Sequence, residues 1–211
     1  HKTIEIIKEL DQIGAGGAVC FASGFSELGP ANEKEDGHKL QAELISAAQK
    51  LAILGPNCYG FLNYLDNITL WPDQHGGSQV DSGVAIIAQS SNIAINLTMQ
   101  KRSLPIAYVL TVGNQAKSGI SDLIEMLLDD VRVTAIGLYI EGFDSVQNFE
   151  AAAKRATILK TPLVVLKVGK TAQSMAMTLS HTASMTGDNI AGTTFINRLG
   201  CIEVASLTNL L

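Results

Sequence analysis

The sequence predicts an α/β protein built on a doubly wound, largely parallel sheet. Three observations carry that prediction. Short apolar, β-branched runs alternate with helix-period stretches from end to end, as repeated βαβ units require. Of the 211 residues, 46% are hydrophobic and only 17% are charged, which leaves ample material for a core. Small polar turns follow two successive strand candidates, Ala88-Gln89-Ser90-Ser91-Asn92 and Thr111-Val112-Gly113-Asn114-Gln115-Ala116, where a strand hands over to a helix.

Taken in order, a helix is expected near 2–12, with Ile4, Ile6, Ile7 and Leu10 in a helical pattern. A strand follows near 17–23, a helix near 38–51 and a strand near 51–54. Gly14-Ala15-Gly16-Gly17-Ala18 precedes its strand, whereas a dinucleotide fingerprint must follow one, so it reads as a helix C-cap turn. Residues 1–60 form this first unit. The stretch 61–82 holds Pro72, Gly76 and Gly77 without clear periodicity and reads as a linker or irregular crossover. Residues 83–211 form a second unit with strands at Val84–Ala88, Ile106–Thr111, Ala135–Ile140, Leu163–Lys167 and Ile202–Val204. Its helices are expected at 92–101, 119–129, 146–158 and 188–199. This arrangement predicts a flavodoxin-like, three-layer domain whose ligands gather at the carboxyl ends of the strands.

Composition narrows the function. A net charge of −5, scattered Lys and Arg, and 5% aromatic residues argue against a nucleic-acid partner. No apolar stretch is long enough for a membrane span, and no signal peptide opens the chain. Cys20, Cys58 and Cys201 are far apart and odd in number, which fits reduced thiols in the cytoplasm. His1 already stands inside a helical pattern, so the chain is expected to be a piece of a longer protein.

The chemistry centres on His181, within Leu179-Ser180-His181-Thr182-Ala183-Ser184-Met185-Thr186-Gly187-Asp188. Small and hydroxylated neighbours give this histidine no packing role, and no cysteine or second histidine lies near enough in sequence to suggest a metal site. A neutral imidazole there can act as a nucleophile. A serine hydrolase reading through Ser180 lacks the Gly-x-Ser-x-Gly elbow. Glu141, in Tyr139-Ile140-Glu141-Gly142-Phe143, is either a solvated loop carboxylate or the group that holds one ring nitrogen so that the other can attack. Ser90, Ser91 and Asn92 either cap a helix or aim its N–H groups at an anion, and the turn holding Asn114 repeats that arrangement. Gly55-Pro56-Asn57-Cys58-Tyr59-Gly60 is either a plain turn or a ligand-lining one.

Gly-Pro-Asn-Cys, Gln-Ser-Ser, Val-Gly-Asn, Tyr-Ile-Glu-Gly, Leu-Lys-Val-Gly-Lys and Ser-His-Thr occur in that order. The set resembles the NDP-forming acyl-CoA synthetases, relatives of the succinyl-CoA synthetase α subunit that include ADP-forming acetate–CoA ligases. The resemblance covers nearly the whole chain. It implies that residues 1–60 are the C-terminal part of a Rossmann-like CoA-binding domain and that the second unit carries a phosphohistidine. On the same basis His181 is the phosphorylated residue and Glu141 orients it. Ser90, Ser91, Asn92 and Asn114 take the phosphoryl group, and Asn57 and Cys58 lie near the CoA thiol. Acyl-CoA, CoA and phosphate are the implied ligands. ATP or ADP with Mg2+ would bind an ATP-grasp domain or subunit outside this chain, in an enzyme that is oligomeric at full length. Many members carry glycine where this chain has Ser91 and Ala183. A different class, a non-catalytic acyl-CoA-binding module of an acetyltransferase-type protein, is the alternative.

Overall fold

The computed structural model describes residues 1–28, 36–169 and 189–211, without the side chains of residues 189 and 190. Helix α1 (Lys2–Gln12) buries Ile7 and ends at Gly14, whose φ of 71° only glycine adopts readily. The N–H groups of Gly14 and Ala15 then return to the carbonyls of Asp11 and Leu10, at 3.1 and 3.0 Å, which closes the expected cap turn. Strand β1 (Gly17–Val19) pairs in parallel with β2 (Ala52–Leu54). Between them α2 (Gly37–Ala47) starts on Asp36, whose carboxylate accepts from the N–H groups of His38 and Lys39. The helix stops four residues short of the expected end. Just past its end, the carbonyls of Ala48 and Gln49 accept from the Lys117 ammonium of the second unit. Ile7, Phe25, Leu44, Leu51 and Ile53 make a small core of their own.

The second unit contains β5 (Gly83–Ala88), α3 (Ser91–Thr98), β6 (Ile106–Thr111), α4 (Ile120–Leu127) and β7 (Val133–Ile140). It continues through α5 (Val146–Leu159), β8 (Leu163–Lys167), α6 (Asn189–Arg198), β9 (Ile202–Glu203) and a short α7 (Leu207–Leu210) that the sequence pattern does not announce. The five parallel strands lie in the order β6-β5-β7-β8-β9, which is the 2-1-3-4-5 order of a flavodoxin-like sheet. Two half-cores cover the two faces. Ala94, Leu97 and Leu210 of α3 and α7 pack on one, and Ile120, Ile124, Phe149, Ala152 and Ile196 of α4, α5 and α6 pack on the other.

The stretch 61–82 differs from its expectation. It contributes β3 (Phe61–Asn63) and β4 (Ile68–Leu70), a hairpin that joins β6 antiparallel and extends the sheet to seven strands. Asn63 makes the turn, its side-chain oxygen accepting from the N–H groups of Leu65 and Asp66 at 3.0 and 3.1 Å. These strands carry little alternation, and no helix separates them from their neighbours to mark a βαβ unit.

Arg132 holds the hairpin down, pairing with both oxygens of Asp66 at 2.8 and 3.1 Å and with Asp130 at 2.8 Å. Hydrogen bonding from Arg132 lowers the pKa of Asp130 to about 2 and also lowers that of Asp66. Both carboxylates therefore favour the folded state above their unfolded pKa, near 4, and that contribution fades as the pH falls toward 2. Solvent reaches the cluster and screens it, so the effect should be small. Urea midpoints measured from pH 6 to pH 2.5 should fall less steeply in Arg132→Met than in the parent. Equal slopes would exclude the cluster as a source of acid sensitivity.

Candidate functional site

Strands β5 and β7 are neighbours whose following helices, α3 and α5, lie on opposite faces of the sheet. Their carboxyl ends therefore form the topological switch point, where an open α/β sheet leaves a crevice. Ser90 and Glu141 stand at those two ends.

At the end of β5, Ser90 is the N-cap of α3, with its hydroxyl accepting from the Ile93 N–H at 3.4 Å. Capping is thus what its side chain does, and the same cap directs the first turn of α3 into the crevice. The Ser91 hydroxyl accepts from the Tyr59 N–H at 3.0 Å, and Thr111 Oγ1 accepts from the same N–H at 3.1 Å and from Gly60 N–H at 2.8 Å. A glycine at 91 has no such oxygen, so the serine ties α3 to the 55–60 turn. Asn92 is exposed, and its carbonyl accepts from the Asn96 amide at 2.9 Å.

The 55–60 turn passes through a cis Gly55–Pro56 bond and a positive φ of 59° at Asn57. The Asn57 N–H donates to Ala22 at 2.9 Å, while the Pro56 carbonyl accepts from the Asn114 N–H at 3.0 Å. Gly113 lies directly against this turn, where a Cβ would stand 2.2 Å from the Pro56 oxygen. Cys58 is 1% exposed, with its sulfur 4.0 Å from the Cys20 carbonyl oxygen, and burial pushes its thiol up to about 12. It has no thiolate to offer at neutral pH.

Asn114 is turned toward the first unit. Its amide nitrogen donates to Glu27 at 2.5 Å and to Gln41 at 3.2 Å, and its buried oxygen has no hydrogen-bond partner among the described residues. Glu27 in turn accepts from the N–H groups of Gly24 and Phe25. Asn114 lies well before the start of α4, whose N-cap and first-turn N–H groups already meet side-chain oxygens. The Gly119 N–H donates to Asp122 at 2.9 Å, and the Ser121 N–H donates to Asp144 at 3.0 Å. Of the two helix starts expected to face an anion, only that of α3 lacks such a carboxylate cap.

Glu141 follows β7 directly. Gln89 holds its turn, the side-chain oxygen accepting from the N–H groups of both Glu141 and Gly142, the latter at 2.8 Å. Gln115 holds the other side, donating to the Gly142 carbonyl at 3.2 Å and accepting from the Ile120 N–H at 3.0 Å. The turns at 55–60, 89–91, 111–116 and 141–142 thus form one hydrogen-bonded assembly that unites Asn57, Ser91, Asn114 and Glu141. His181 lies outside the described residues. Gln89, Gln115, Glu27 and Gln41 are additions that the sequence did not announce, since a glutamine or glutamate carries no local signature of what it holds. A separate apolar cavity of about 640 Å³, between β1, β2 and α4, contains none of the site residues.

The family model for the succinyl-CoA ligase like flavodoxin domain matches residues 81–211. The chain belongs to that family. Among curated proteins, this succinyl-CoA ligase like chain is 34% identical over 214 residues to a trans-feruloyl-CoA synthase of an unknown prokaryotic organism, covering 98% of the chain and 30% of the relative. It is 33% identical over 185 residues to the α subunit of ADP-forming acetate–CoA ligase II of Pyrococcus furiosus, covering 85% of the chain and 38% of the relative. The apo structure of the dinucleotide forming acetyl-coenzyme A synthetase 1 of Ca. Korarchaeum cryptofilum matches with a TM-score of 0.84 at 25% identity, over 99% of this chain and 44% of that one. The same synthetase in complex with phosphate and ADP matches with a TM-score of 0.83 at 26% identity. The chain spans about a third of the length of the curated relatives it matches.

Proposed function

We propose that this chain is the CoA-handling and phosphoryl-carrying part of an NDP-forming acyl-CoA synthetase. The enzyme would interconvert acyl-CoA, NDP and phosphate with a carboxylic acid, CoA and NTP. The observation that supports this most is the convergence of the four turns at the switch point, in a chain of this family. Phosphate would bind at the first turn of α3, over Ser90, Ser91 and Asn92, where the helix end contributes about 0.3–2 kcal/mol. Asn114, with its unpartnered oxygen, would complete the seam toward the first unit. Because the Cys58 side chain is buried, the CoA thiol would meet the main chain of Asn57 and Cys58.

In the proposed reaction a phosphate oxygen attacks the thioester carbonyl, the C–S bond breaks, and CoA leaves with acyl phosphate formed. An imidazole nitrogen of His181 then attacks phosphorus, and the P–O bond to the acyl group breaks to release the carboxylate. Glu141 would steady the positive charge that grows on the ring. The phosphoryl group passes from His181 to a nucleoside diphosphate, which with Mg2+ belongs to an ATP-grasp domain or partner subunit. Among the described residues no helix is long and apolar enough to cross a membrane. The three buried free cysteines suit a reducing cytoplasm.

Labelled ATP and magnesium, incubated with the complete enzyme, should leave an acid-labile, base-stable label on the protein. His181→Ala should remove it. A label retained in that variant would sink the assignment.

A further inference from the structure

Gln89 is 5% exposed at the point where β5 and β7 part. From Val84 to Ala88 the ladder is regular, and the Gln89 N–H then donates to the Tyr139 carbonyl at 3.1 Å. Beyond it β5 turns into α3, and the main chain no longer offers β7 an acceptor. The Gln89 side-chain oxygen takes that place and receives two successive N–H groups, those of Glu141 and Gly142. One buried oxygen therefore sets the direction of the peptide that carries Glu141. Gln115 fixes the Gly142 carbonyl from the opposite side.

We propose that Gln89 is a positioning residue for phosphoryl transfer, acting through Glu141, with Gln115 as its counterpart on the far side of the turn. The proposal rests on the functional reading above. Gln89 precedes the Ser90 cap and Gln115 follows Asn114, so the turns that would cradle the phosphoryl group also hold the carboxylate. Placement of the carboxylate is then linked to the state of those turns. A leucine or methionine at 89 fills the same space but leaves two inward N–H groups without their acceptor.

The rate of His181 labelling by ATP and magnesium tests this in the complete enzyme, with Gln89→Met, Glu141→Gln and the double variant compared with the parent. Gln89→Met should slow labelling about tenfold or more while leaving the nucleotide KM unchanged, as expected when a reactive group is misplaced by about an ångström. In the Glu141→Gln background the same substitution should cost less than about twofold, because the two act through one group. A residue that is merely structural would repeat its full loss there. Hydrogen exchange gives a readout apart from activity, with the amides of Glu141 and Gly142 exchanging faster in Gln89→Met. Gln115→Met should show the same coupling with a smaller loss, and it serves if Gln89→Met does not fold. Parent-like labelling and exchange in a folded Gln89→Met, or a loss that ignores Glu141, would overturn the role of Gln89 alone. An unlabelled parent would overturn the reading on which the proposal rests.

Discussion

Glu141→Gln is expected to slow phosphorylation of His181 by about a hundredfold to a thousandfold, the range for losing a preorganised electrostatic partner. The substitution keeps the size of the side chain. It also keeps the turn, because Gln89 and Gln115 grip the main chain at 141 and 142 and not the carboxylate. In the proposed mechanism it removes negative charge beside an imidazole that becomes cationic as it attacks phosphorus. An amide also offers the ring a donor as readily as an acceptor, so the tautomer with a free nitrogen loses its preference. Rapid-quench labelling of the complete enzyme measures the rate, and an unchanged thermal midpoint separates chemistry from folding. A rate within threefold of the parent would take Glu141 out of the mechanism.

Gly113→Ala is expected to destabilise the fold strongly. Its Cβ would stand 2.2 Å from the Pro56 oxygen and 2.4 Å from the Asn57 oxygen, and both are backbone atoms. At a φ of 50° the new side chain is also strained. Strain and overpacking together should cost about 3 kcal/mol, close to a 10 °C fall in melting temperature for a chain of this size. Gly14→Ala is the matched control. Its φ is 71°, yet no atom lies within 4 Å of the added Cβ, so only the conformational cost of about 1 kcal/mol applies. Equal melting temperatures for the two variants would show that the 113–118 segment does not bear on the 55–57 turn.

Much of the fold was legible because the parallel strands β5 to β8 are five to eight residues long and several helices start on a side-chain cap. Ser90, Ser145 and Asp36 each accept from N–H groups at the start of their helices, and those are local bonds written in local sequence. Strands β3 and β4 were not legible, since each is three residues long and no helix separates them from their neighbours to mark a βαβ unit. The ends of α2 and α3 were overrun for a related reason. Lys117, far along the chain, meets the carbonyls of Ala48 and Gln49 just past α2, and the Thr98 hydroxyl bonds back to Ile95 at 2.7 Å to close α3.

The site divides in the same way. The sequence alone determined which turns carry small, polar residues at strand ends, because a parallel strand that passes into a helix needs caps and room for its backbone. It therefore located Asn57, Ser90, Ser91, Asn114 and Glu141, and the motif around His181 as the nucleophile candidate. Only the tertiary structure decided what those residues face. The 2-1-3-4-5 strand order brings Gln89 beside Glu141 across 52 positions, and the seam between the units turns Asn114 toward Glu27 across 87. Such pairings depend on which strands are neighbours and how two cores meet. That is a property of the packed chain as a whole, so no window of sequence contains it.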